Sequence, residues 1–191
     1  MSYVLALNGP PHSGKDTIAN AIIEQIDRDP MFGIATRKLE IKAGLRAMGM
    51  AVLGLPNDPA EYDRIKDVPQ DIFNGDSLRQ WMIGVTEGYF KPRYGKTFWI
   101  SRELGLNPFF YGLSIVTDMG FDEEINVLYN KYTAHSVLLV HLYRDGTSFF
   151  GDSRNYVSHP ILSPLAMYNE STPEEAAREL INAMLAKGWS L

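Results

Sequence analysis

Apolar residues fall along this chain in two rhythms. Residues 3–8 (YVLALN) form an unbroken apolar run that stops at a Gly/Pro segment, the pattern of a short buried strand. Residues 15–27 then carry Ile18, Ile22 and Ile26 at helical spacing, with Ala19 and Ile23 beside them. Strand, loop and helix in that order predict an α/β fold. Residues 34–41 alternate and predict a second strand, and 42–53 a helix. Residues 54–76 hold three prolines and many acids and amides, which predicts mostly loop. A helix is expected over 77–90, with Leu78, Met82 and Val85 on one side, and a short one over 97–105.

The second half repeats the alternation. Residues 111–117 predict a strand ending just before Asp118, and 122–132 a helix with Ile125, Leu128 and Tyr129 on one side. Asp122 is the expected cap of that helix, and Glu124, one turn in, either caps or faces the site, with capping or scaffold preferred. Residues 136–143 (SVLLVHLY) are the most apolar strand, and the polar, Gly/Ser-rich segment 144–163 is a loop or lid. The last helix has Thr172 at its N-cap, Pro173 at its first position and Glu175 completing a capping box. Ala176, Ala177, Leu180, Ile181 and Met184 supply its apolar face. Continuous apolar strands between helices imply a parallel sheet covered on both faces.

Composition narrows the classes. The 191 residues suit one domain of ordinary size, and 45% hydrophobic with 21% charged residues reads as a soluble globular protein. There is no cysteine, which excludes a disulfide framework and Cys-ligated zinc. The run Val4 to Leu7 is too short and lacks the basic flank of a signal peptide, so a cytoplasmic location is expected. No stretch approaches the roughly 20 apolar residues of a membrane helix. A formal net charge of −5 argues against binding a nucleic-acid polymer but not a free nucleotide.

The chemistry concentrates at Gly9-Pro-Pro-His-Ser-Gly14-Lys15-Asp16-Thr17, a G-x-x-x-x-G-K motif between a predicted strand and an amphipathic helix. Its glycines let backbone N–H groups converge on phosphate oxygens, the helix adds its positive end, and Lys15 reaches the β- and γ-phosphates. The residue after the lysine is usually Ser or Thr, whose hydroxyl binds magnesium. Here it is Asp16, followed by Thr17, so either Thr17 supplies the hydroxyl or the metal is held partly through water. Asp118, at the end of a neighbouring strand, is a second candidate for the metal. Arg79, Lys91, Arg93, Arg144 and Arg154 are candidates to offset charge on a transferred phosphoryl group. His12 lies inside the cradle, whereas His141 reads as a satisfied core residue. Trp81, Phe90, Tyr94, Phe98 and Trp99 can stack on a base but are more often core. The aromatics around 90–111 leave a homodimer open.

Six segments then line up with a known family. GPPHSGKDT (9–17), LEIKAGLR (39–46), SLRQWMIGVTEGYFKPRYGKTFW (77–99), VTDMGFDEE (116–124), LYRDGTSFFGDSRNY (142–156) and MYNEST (167–172) resemble the phage-type deoxynucleoside monophosphate kinases, within the P-loop nucleoside monophosphate kinase group. The resemblance implies a single three-layer P-loop kinase domain over 1–191, a parallel sheet with helices on both faces. It adds an acceptor-binding insertion at about 42–106 and a lid at about 144–160. It implies transfer of the γ-phosphate of ATP to a deoxynucleoside monophosphate with Mg2+, in the host cytoplasm if phage-encoded. By resemblance, Gly9, His12, Ser13, Gly14, Lys15, Asp16, Thr17 and Asn169 serve ATP, with Asn169 beside the adenine. Asp16, Thr17 and Asp118 serve the metal. Lys42, Arg79, Trp81, Glu87, Lys91 and Asp118 surround the acceptor. Lys15, Arg79, Arg144 and Arg154 act on the transferred phosphate, the last two from the lid side. Leu78 stands where the family often has Pro, and Gly120 where some relatives have an arginine. Outside that family the rival readings are a P-loop kinase of a small metabolite and a nucleotide-dependent switch.

Overall fold

The computed structural model describes residues 1–106 and 110–191. The chain divides into two compact units, Met1–Glu40 with Asn107–Leu191, and Ile41–Leu106.

The first unit is built on five strands: β1 (Tyr3–Asn8), β2 (Thr36–Leu39), β3 (Leu113–Val116), β4 (Val137–Tyr143) and β5 (Leu165–Tyr168). They pair in the order β2-β3-β1-β4-β5, and every pairing is parallel. β1 sits at the centre, its six residues all buried, which is why it reads as an unbroken apolar run. Its alternate residues serve opposite faces. Leu5 and Leu7 join Ile115, Val140, Leu142 and Met167 in a core closed by α1 (Lys15–Arg28) and the C-terminal Pro173–Ala186 helix. Ile18, Ile22 and Ile26 of α1 meet Ala177, Leu180, Ile181 and Met184 of that helix. The other face, with Val4 and Ala6 fully buried, is covered by the helix Asp122–Ser136 through Ile125 and Leu128. That helix leaves helical geometry at Thr133 (φ 69°), which explains why its apolar pattern stops at 132. The fold class is the expected one: a parallel α/β sheet with helices on both faces.

The second unit is helical: α2 (Ala43–Val52), α3 (Pro59–Ile65), α4 (Leu78–Val85), α5 (Lys91–Tyr94) and α6 (Phe98–Leu106). The remaining helices of the first unit are then α7 (Asp122–Ser136) and α8 (Pro173–Ala186). The buried apolar residues of the second unit include Ile41, Leu45, Met50, Leu78, Ile100 and Leu104. Ser77 caps α4 in a reciprocal box with Gln80. α4 runs through a π-helical turn (Thr86–Phe90) into α5. Trp81 stacks on Phe73 with ring centroids 4.9 Å apart, and Phe90, Tyr94, Phe98 and Trp99 pack on one another at 4.6–6.0 Å. Of the five aromatics singled out from the sequence, Trp99 is buried, Trp81, Phe90 and Phe98 are half-buried, and Tyr94 is exposed, so the core reading describes Trp99 and not Tyr94. Phe109 lies outside the described residues.

Two expectations need correction and one a refinement. The 54–76 segment is mostly loop as expected, but it also contains α3 and a 3-10 turn at Asp71–Phe73. Pro59 opens α3 at its first position, with Asp58 as the side-chain cap. The segment 144–163 is followed by a fifth strand, β5, that the pattern did not predict. Asp122 does not cap α7. Its carboxylate accepts from the Ser158 N–H (2.7 Å) and hydroxyl (3.1 Å), while Glu124 accepts the Gly120 and Phe121 N–H groups (2.8 and 3.1 Å).

Candidate functional site

The loop after β1 is where the strongest motif lies, and its shape follows from two glycines used differently. Gly14 takes φ 94°, a left-handed conformation that frees the chain to turn into α1. Gly9 has no such φ, but a Cβ there would lie 2.7 Å from the Leu142 carbonyl and 2.8 Å from Ser13 Oγ, so β4 and the loop can approach only a glycine. His12 is also left-handed (φ 66°) and its side chain is exposed.

Lys15 is folded into the loop. It is 7% exposed, and its ammonium donates to the Gly9 carbonyl (2.8 Å), the Pro10 carbonyl (2.7 Å) and Ser13 Oγ (3.2 Å). Burial pulls its pKa down to about 8 from an ordinary 10.5, and the Arg154 charge acts the same way. Asp16, Asp152 and Asp118 oppose them. A buried cation at a helix start, ringed by loop oxygens, is suited to anionic oxygens.

Other predicted residues gather around this loop from the ends of neighbouring strands. Asp118 follows β3 and is half-buried. Arg144 follows β4 and donates to the His12 carbonyl (3.3 Å). Asn169 follows β5. Its amide donates to the Ser13 carbonyl (2.8 Å), and a Cβ on Gly14 would lie 2.3 Å from its Nδ2. Arg154 is held by Asp152 through Nε (3.0 and 3.1 Å) and Nη2 (2.6 Å). A Cβ on Gly120 would lie 2.4–2.6 Å from three carbons of the Arg154 stem, so Arg154 occupies the space a side chain at 120 would need.

The segment carrying Arg154 is tied to the sheet. Asn8, with no exposed surface, accepts the Val157 N–H (2.9 Å) and donates to the Asn155 and Met119 carbonyls (3.2 and 3.1 Å). Tyr156 donates to the Leu142 carbonyl (2.8 Å), and His141 Nε2 meets the Val157 carbonyl at 2.8 Å. Burial lowers the His141 pKa, which this backbone contact partly offsets.

Asp16 behaves in a way the motif does not announce. Its Oδ1 accepts from the Thr117 hydroxyl (2.7 Å) and pairs with Lys38 of β2. Burial pushes its pKa up, but the Lys38 and Thr117 hydrogen bonds and the Lys38 and Lys15 charges outweigh this and hold it below the ordinary carboxylate value. Sequence reading missed Lys38 and Thr117. Lys38 lies outside the segments that resemble the family, and Thr117 was passed over beside Asp118 within VTDMGFDEE; only the β2–β3 register, Leu39 beside Val116, puts them together. Thr17 is exposed. Among the described residues no three His, Cys, Asp or Glu groups form a metal cage. The oxygens of Asp16, Thr17 and Asp118 are nevertheless of the class magnesium takes, usually one or two carboxylates plus phosphate and water.

The remaining predicted residues lie in the helical unit. Arg79 binds Asp67 through Nε (2.6 Å) and Nη2 (3.3 Å), and Lys91 pairs with Glu87 at 2.5 Å. Trp81 is stacked as described, and Lys42 is the half-buried residue at the start of α2.

No family model matches the chain, and no curated protein matches it. Solved structures do. A hexameric APS kinase from Thiobacillus denitrificans is 14% identical with a TM-score of 0.50, over 100% of this chain and 30% of that one. A gluconokinase from Sinorhizobium meliloti is 11% identical (TM-score 0.48; 96% and 92% covered), and a shikimate kinase from Aquifex aeolicus 12% (0.45; 98% and 99%). The likeness is one of fold: this chain has the P-loop kinase-like α/β architecture.

Proposed function

We propose that this protein transfers the γ-phosphate of ATP to a deoxynucleoside monophosphate, giving the diphosphate and ADP. The observation that carries the phosphotransfer reading is Lys15, buried at the start of α1 with three loop oxygens around its ammonium. The acceptor class rests on the resemblance of residues 77–99 and 142–156. An acceptor phosphate is already an anionic nucleophile, so no strong base is needed, and the protein's work is positioning, charge neutralisation and exclusion of water. In this reading Lys15 holds the β- and γ-phosphates, and Arg144 and Arg154 offset charge from the segment after β4. Asn169 orients the donor nucleotide at the loop's rim. Lys42, Arg79, Trp81, Glu87 and Lys91 bind the acceptor. Magnesium held by Asp16, Thr17 and Asp118 would supply charge neutralisation at the phosphate oxygens.

A second reading, transfer to a non-nucleotide metabolite, is favoured by one observation: Arg79, Trp81, Glu87 and Lys91 are all engaged within their own unit. An ADP-release assay with ATP, magnesium and each deoxynucleoside and ribonucleoside monophosphate in turn separates the two. Release that requires a deoxynucleotide is expected. Release indifferent to every nucleotide acceptor would move the reading to the metabolite.

A further inference from the structure

The loop carries a carboxylate where this motif usually has a neutral hydroxyl. An extra negative charge beside a triphosphate is unfavourable unless something neutralises and orients it. Lys38 and Thr117 are placed to do both. Lys38 comes from β2 and Thr117 from the residue after β3, adjacent parallel strands, while Asp16 is the second residue of α1. Both donors go to the same oxygen, Oδ1, and Oδ2 accepts no hydrogen bond from the described residues. Thr117 is buried and the Lys38 side chain mostly so, while the Asp16 side chain keeps 66% of its surface. The carboxylate is thus gripped from the strand side and open on the other.

We infer that Lys38 is a positioning residue that acts through Asp16: with Thr117 it fixes the carboxylate by Oδ1, cancels its charge, and leaves Oδ2 as the oxygen that serves the magnesium–triphosphate in place of the usual hydroxyl. The inference rests on the kinase reading of the loop. A merely structural ion pair would be worth little and would not depend on the nucleotide.

The test is a double-mutant cycle read by affinity. Binding of a fluorescent ATP analogue to the full chain is measured with magnesium and with EDTA, for wild type, Lys38→Met, Asp16→Ser, the double variant and Lys38→Arg. Lys38→Met is expected to lose roughly tenfold in affinity with magnesium. In the Asp16→Ser background, where the carboxylate is gone, the same change should cost less than about twofold. Lys38→Arg, which keeps the charge, should stay near wild type. No loss in Lys38→Met, or an equal loss in both backgrounds, overturns the inference while leaving nucleotide binding by the loop intact. A wild-type chain that ignores the analogue overturns the kinase reading and this inference with it.

Discussion

At Lys15 an ammonium group has exchanged water for three loop oxygens, and its titration records the exchange. Below pH about 8 the lysine is protonated in folded and unfolded chains alike. Between about 8 and 10.5 the unfolded chain keeps a proton that the folded chain has released. Stability contributed by this group therefore rises with pH across that window. Nucleotide binding has the opposite sign, because phosphates need the charged form. Calorimetric titration with ATP should show affinity falling above pH 8, approaching roughly tenfold per unit. Lys15→Met should bind weakly and without that dependence while keeping its circular dichroism spectrum. The cradle was legible because its glycines, lysine and flanking elements are contiguous. The Lys38–Asp16–Thr117 contact was not, because it joins residues far apart in sequence through strand register.

Among the elements, α7 shows how one side chain can serve both a helix cap and the turn before it. Glu124 is 4% exposed and takes the N–H groups of Gly120 and Phe121, the turn that follows Asp118 and lies against Arg154. Glu124→Ala removes both bonds, and a loss of about 1–2 kcal/mol is expected in denaturant unfolding. The acid-rich start of α7 made a cap predictable, but the pattern favoured Asp122 where Glu124 takes the role. Only the position of Ser158 assigns Asp122 elsewhere. Prolines hid α3 within the otherwise loop-like 54–76, since Pro59 starts a helix where a count of prolines suggests a break. β5 is four residues long, at the sheet edge, with only Met167 fully buried, too little pattern to detect.

On the scale of the whole molecule, the parallel sheet explains why distant segments supply one site. β1, β3, β4 and β5 all point the same way, and the loop, Asp118, Arg144 and Asn169 each follow the end of one of them. Ligands of open parallel sheets bind at that edge. Apolar runs made the strands readable, so the polar residue after each run was readable too. A ligand that binds only the folded state stabilises it by about 2.7 kcal/mol at a hundredfold its Kd. For a chain of this size that is a rise in Tm of roughly 5–10 °C. Differential scanning fluorimetry with Mg-ATP should show it, and Lys15→Met should not.

The central place of β1 has a consequence for synthesis. Its partners are Leu113–Val116 and Val137–His141, made more than a hundred residues later. At roughly 5–20 residues per second, the first strand leaves the ribosome several seconds before either neighbour exists. For that interval Val4–Leu7, the most deeply buried stretch of the finished protein, is an unpaired apolar edge. The strand that leads into the Gly9–Thr17 loop thus waits unpaired for longer than either strand it will pair with.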